Sequence, residues 1–345
     1  MNSPAPLGGR ARAYLEFIAA VIYYFLARAL ARRSAFDLAS ETWMPLAEQA
    51  ILLLLLLVGF AAFGRVFDRQ KHPISEQGFP VRSGWLSEAG LGMTVGWGAA
   101  IACVLPLTLF GGIAIVLTTQ RSAWAFLFVD AAYFALAAMV EEVAFRGYGF
   151  QRFLQVVGPI GAALGFAAFY AGLLALFPGS SKASIAVSIV LSLLLSTAFL
   201  RTRALWVSWG LNFAWKASRA LIFGLALGGI SSHSSVVEGD PMGPFWITGG
   251  GYGLDGSWVT FLVLLAVFPV LYRVTRDLDF RYNAPVIVPA GVAVDLDAAA
   301  RRQHEAAMGA AEPTPPPLVQ ILPVSTPSAS IEVNRVPTTE HDGPR

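Results

Sequence analysis

Apolar residues run through this chain in long blocks broken by short polar stretches, a pattern that predicts helices and not strands. Blocks at roughly 14–31, 46–64, 90–117, 124–142, 159–177, 183–200, 204–228 and 257–273 each approach the ~20 residues a helix needs to cross a bilayer core. The expected fold is therefore all-α, a polytopic membrane protein of about eight transmembrane helices. The first block is the weakest, because Glu16 opens it and Arg28 interrupts it. It can also be read as a cleaved signal peptide, with Arg10 and Arg12 ahead of an apolar core at 17–27. Arg32 and Arg33 behind the block suit a retained anchor better.

Composition agrees with the pattern. The chain of 345 residues is 56% hydrophobic and 13% charged, with a mean hydropathy of +0.61, the profile of a membrane protein. A net charge of +2 is too small to argue for nucleic acid. The one cysteine, Cys103, lies in an apolar stretch, which excludes a disulfide framework and a cysteine zinc site. His72, His233, His304 and His341 all fall in polar segments, so none sits in an expected span. Lys and Arg in the short loops orient the chain. Arg65, Arg69, Lys71, Arg82, Arg152, Arg201 and Arg203 fall on one side; the other holds Arg32, Arg33, Arg121 and Lys182, and its long loop 229–256 carries neither Lys nor Arg. Both termini are expected inside.

Three regions follow from these breaks: 1–89, N-terminal membrane helices and a cytoplasmic loop; 90–275, the membrane core; and 276–345, a Pro/Ala-rich cytoplasmic tail. The tail, with Pro313-Thr-Pro-Pro-Pro317, lacks periodicity and is expected to stay disordered because it cannot offset its ordering entropy. The third block carries Gly90, Gly92, Gly96 and Gly98, and the Gly92–Gly96 spacing is that of closely packed membrane helices. Thr248-Gly-Gly-Gly-Tyr-Gly253 superficially resembles a phosphate loop but lacks its Lys-Ser/Thr ending, so a tight outer loop is expected.

The chemistry gathers in a few polar residues at membrane depth. The adjacent pair Glu141 and Glu142 ends an apolar run, and Arg146 follows Glu142 at helical spacing. A charge at the centre of a span costs roughly 2.5–3.5 kcal/mol on insertion scales, so such groups face a protein interior and act there. Arg146 can neutralise one glutamate and leave the other free for acid–base work on water. The competing reading is a helix-terminal ion pair that snorkels to the interface. Asp130 lies eleven residues before Glu141, close to the same helical face. In the seventh block Asn212, Lys216 and Arg219 form one polar stripe. Buried cations need facing anions, so the fourth and seventh helices are expected to pack acid face to base face, unless Lys216 and Arg219 snorkel. Tyr170 is polar only at its tip, and packing is its default role.

Glu141-Glu142-Val-Ala-Phe-Arg146-Gly147 resembles the first motif of the CAAX prenyl endopeptidase and bacteriocin-processing family of intramembrane proteases. Phe166-Ala-Ala-Phe-Tyr170 stands where that family has Phe-x-x-x-His, and Asn212-Phe-Ala-Trp-Lys216 where it has His-x-x-x-Asn/Asp. Ile222-Phe-Gly224 and Trp246-Ile-Thr-Gly-Gly250 also look like one bacterial branch, and the likeness spans about 90–272. The resemblance implies about eight helices around a polar cavity in a bacterial inner membrane. It implies a water activated by Glu141, neighboured by Glu142 and Arg146, acting on a peptide or membrane-protein substrate.

This chain departs at three positions: Tyr170 and Asn212 replace the histidines, and Lys216 replaces the Asn/Asp. Asn212 can still donate to an oxyanion, while Tyr170 is a poor base at neutral pH. Carboxylates alone make a poor zinc site, so no cofactor is expected. Two functions stay open: a glutamate-dependent endopeptidase, or a catalytically inactive homologue acting as a membrane scaffold, peptide-binding or immunity protein.

Overall fold

The computed structural model describes residues 7–118, 120–176 and 179–283, which lie in one compact unit running to Ala284. The residues expected to form the disordered tail beyond 283 lie outside those described. A helix stands at each of the eight expected spans: α1 (Leu7–Leu38), α2 (Met44–Val66), α3 (Trp85–Leu109), α4 (Arg121–Arg146), α5 (Tyr148–Ala175), α6 (Lys182–Thr202), α7 (Trp206–Ala217) and α8 (Trp258–Val274). A further helix, α9 (Arg276–Asn283), follows and packs on α6 through Arg201–Asp279 at 3.0 Å. The packed unit therefore extends past 275, where the tail was expected to begin.

The protein is all-α and polytopic. Five helical stretches are long and apolar enough to cross a membrane: 9–38, 44–66, 85–109, 123–175 and 182–202. The fourth comprises α4 and α5, which meet at Gly147. α8 is a shorter apolar helix, and α7 is the shortest of the eight, passing into a π-helical turn over Ser218–Ile222. The third and seventh blocks end earlier than expected. The third gives way at 109 to strand β1 (Ile113–Leu117), which pairs antiparallel with β2 (Val237–Pro241) in the long loop after α7. Val116 and Leu117 are exposed, so apolarity alone could not separate this strand from the helix before it.

The most extensive helix contact joins α3 to α7. A Cβ on Gly92 would meet the backbone of Val207 and Leu211, one on Gly96 that of Leu211 and Trp215, and one on Gly210 that of Ala89 and Met93. The two helices thus touch backbone to backbone, as small-residue pairs allow. Gly90 and Gly98 face open space, so of the four glycines it is the Gly92–Gly96 pair that packs. Around this contact Cys103, Leu194, Ala198, Leu211, Trp215 and Leu264 build the larger core. A second core of Leu56, Phe60, Tyr148, Phe150 and Phe166 lies between α1, α2, α4 and α5. α5 bends where Gly158 (φ 79, ψ 174) precedes Pro159, a residue that excludes helical geometry before it.

Gly92→Ala is expected to destabilise the protein by about 1–3 kcal/mol, the usual cost of overpacking. Gly98→Ala should be neutral, and thermal unfolding of both variants in detergent micelles reads the difference.

Candidate active site

α4 places both glutamates, because its helix continues through Arg146 and stops at Gly147. A Cβ at Gly147 would press on the Val143 carbonyl, so the break falls just after the motif. Consecutive residues on a helix point about 100° apart, and the two acids accordingly differ. The Glu142 residue is fully buried, whereas the Glu141 side chain is 31% exposed.

Arg146 Nη1 lies 3.3 Å from Glu142 Oε1, and its Nη2 donates to the Ser192 carbonyl at 3.0 Å and Ser192 Oγ at 3.3 Å. Arg146 is itself only 3% exposed. Burial of both partners overturns the snorkelling alternative for this pair. α6 thus takes part in holding the motif arginine, which the sequence reading missed. The signal was present: Ser184, Ser188, Ser192 and Ser196 recur at helical spacing in an apolar helix, and all four are buried.

α7 meets α4 from the other side. Asn212 Nδ2 donates to Glu141 Oε2 at 3.0 Å and to Glu142 Oε1 at 3.1 Å, so one amide bridges both acids. Lys216 Nζ forms a salt bridge with Glu141 Oε1. Trp209 Nε1 donates to the Ala135 carbonyl at 3.0 Å, tying the same two helices one turn earlier. The pairing inferred from charge balance is therefore present for Lys216. The expectation that Arg146 would leave one glutamate free is corrected, since Lys216 and Asn212 hold Glu141.

Two other polar groups go elsewhere. Arg219 was expected to face the acids of α4. It lies instead in the π-helical turn, where its Nη1 meets Asp255 Oδ1 at 2.6 Å and its guanidinium stacks 4.1 Å from the Trp215 ring. The wider turn rotates residue 219 away from the position that unbroken α-helical spacing assigns it. Asp255, in the loop between α7 and α8, was not recognised as a partner. Asp130 accepts from the Ser234 backbone N–H at 2.8 Å and lies 2.9 Å from His233 Nδ1. It anchors that loop and does not join the glutamates, although it shares their helical face.

Tyr170 contacts the Phe145 ring edge-on at 5.4 Å. Its hydroxyl makes no hydrogen bond to either glutamate. Glu142 Oε2, Asn212 Oδ1 and Arg146 Nε are buried without a protein partner among the described residues. Carboxylates already tied to Lys216 and Arg146 form a poor donor set for zinc.

The paired glutamates thus lie where three helices of an α-helical membrane protein meet, α4, α6 and α7. Residues 122–218 match the family described as Rce1-like, Type II CAAX prenyl endopeptidase Rce1-like, and over that segment the chain is similar to the CAAX-type family. The match covers α4 to α7, the helices that build the site. No curated protein and no solved structure gave a match.

Removing Lys216 leaves Glu141 without its counter-charge. Lys216→Met is expected to cost about 1–3 kcal/mol, below the range for fully buried pairs because Glu141 still reaches solvent. The double variant Lys216→Met/Glu141→Gln should recover most of that loss. A double-mutant cycle on unfolding midpoints measures it.

Proposed function

We propose that the chain is a CAAX-type intramembrane endopeptidase that hydrolyses peptide bonds of membrane-associated substrates with a water activated by Glu141. The observation that carries this reading is the asymmetry of the two acids. Glu142 is buried and locked to Arg146, while Glu141 is half-open and within reach of two donors, Asn212 and Lys216. Glu141 accepts a proton as the water oxygen adds to the scissile carbonyl, and the carbon–nitrogen bond then breaks as that proton passes to the leaving amine. Asn212 Nδ2 supplies a hydrogen bond to the oxyanion, and Lys216 its compensating charge. Glu142 and Arg146 are positioning residues: they fix the end of α4 and the Asn212 amide.

A second reading rests on the Lys216–Glu141 salt bridge itself. A carboxylate held by an ammonium and an amide is a weaker base than one beside a histidine. Tyr170 meanwhile stands at a histidine position and packs on Phe145. On this reading the chain is a catalytically inactive relative that binds membrane peptides as a scaffold or immunity protein. Both readings carry the bacterial inner membrane as location, with the termini on the cytoplasmic side.

Protein reconstituted in liposomes should cleave membrane-anchored peptide reporters, and Glu141→Gln should lower the rate by about 10²–10⁴-fold, the range for a lost general base. Equal rates for the two proteins, or no cleavage from a broad reporter set, would overturn the endopeptidase reading. Reporter binding without cleavage, unaffected by Glu141→Gln, would support the second.

A further inference from the structure

A cavity of about 1000 Å³ opens between the start of α1, the end of α2 and the first half of α5, away from the glutamate site. Its charged lining is Arg12, Glu16, Asp68, Arg69 and Arg152. Arg152 joins the three segments, with Nη1 at 2.6 Å from Asp68 Oδ1 and 3.6 Å from Glu16 Oε2. Arg12 Nε lies 2.8 Å from Glu16 Oε1. Glu16 and Arg152 are 7% and 8% exposed, and Arg152 Nε and Asp68 Oδ2 are buried without a protein partner. Buried polar groups of this kind are costly unless a structural or ligand role compensates them. Three guanidiniums against two carboxylates leave one positive charge. Burial pushes the Asp68 carboxyl above its ordinary value, against the pull of Arg152.

The height of the cavity is informative. The spans of α1 and α2 start at Gly9 and end at Val66, so Arg12 and Asp68 lie at the level where the hydrocarbon gives way to headgroups. A basic recess at that level faces the layer of lipid phosphates.

We infer that this cavity binds the headgroup of an anionic phospholipid, its phosphate held by Arg12, Arg69 and Arg152. Guanidiniums suit this role because they bind phosphate through paired N–H donors. Basic pockets between membrane helices recognise lipid headgroups in this manner. Glu16 and Asp68 hold the guanidiniums in place and leave a net charge that one phosphodiester neutralises. Arg69 is exposed and makes no described ion pair, so it is the residue whose loss leaves the packing of the helices intact.

Delipidated full-length protein would be titrated with phosphatidylglycerol, with phosphatidylcholine and with inorganic phosphate, and retained ligand read by native mass spectrometry. One phosphatidylglycerol should be retained in preference to phosphatidylcholine by about fivefold or more, and Arg69→Glu should weaken it by a similar factor. The unfolding midpoint of Arg69→Glu without lipid should match that of the parent protein. Equal retention of the two lipids, or unchanged phosphatidylglycerol binding in both Arg69→Glu and Arg12→Gln, would overturn the site. Inorganic phosphate bound with no lipid retained would overturn the lipid assignment and leave a free-anion site.

Discussion

Charges buried at membrane depth must be compensated by charges of opposite sign, and the central helices of this protein are arranged to meet that demand. Glu141 and Glu142 on α4, Arg146 at its end, and Asn212 and Lys216 on α7 form one connected polar cluster. In a low-dielectric interior each partner left alone would carry a large desolvation penalty. The cluster therefore does more than occupy a cavity: it sets the register of α7 against α4. A shift of one residue in either helix would point Lys216 or Asn212 away from the acids.

Backbone contact makes that register precise enough to be useful. Gly92, Gly96 and Gly210 let α3 and α7 approach until main-chain atoms touch. α7 is only 12 residues long, too short to be held by its own hydrophobicity across a bilayer. Its position depends on α3 behind it and α4 in front of it. The π-helical turn at Ser218–Ile222 then releases Arg219 toward Asp255, so the loop between α7 and α8 is fastened to the same element that supports the glutamates. Asp130, His233 and Ser234 fasten that loop a second time, on α4.

Much of the candidate site was legible along the chain. The spacing of Glu142 and Arg146 announced their contact, and charge balance paired α4 with α7. What the spacing could not show was the division of labour among the acids. Asp130 and Glu141 share a helical face, yet one meets a loop and the other a helix, because loops leave no periodic trace of where they fold. Arg219 was misassigned for a related reason, since the three-residue step from Lys216 predicts a common face only while the helix stays α-helical. Ser192 was visible as part of a serine stripe, but only packing reveals that the stripe turns toward Arg146.

The sequence by itself determined the class of protein: apolar blocks of membrane length, a glycine pair for close helix packing, and acids with an arginine at helical spacing. These are local properties, written into composition and period. Tertiary structure decided which charges meet, that Lys216 takes Glu141 while Arg146 takes Glu142, and that Tyr170 turns to an aromatic neighbour. It also brought Arg12, Asp68 and Arg152 from three distant segments around one cavity. Such partnerships depend on the direction of side chains from separate helices, and only the packed bundle sets those directions.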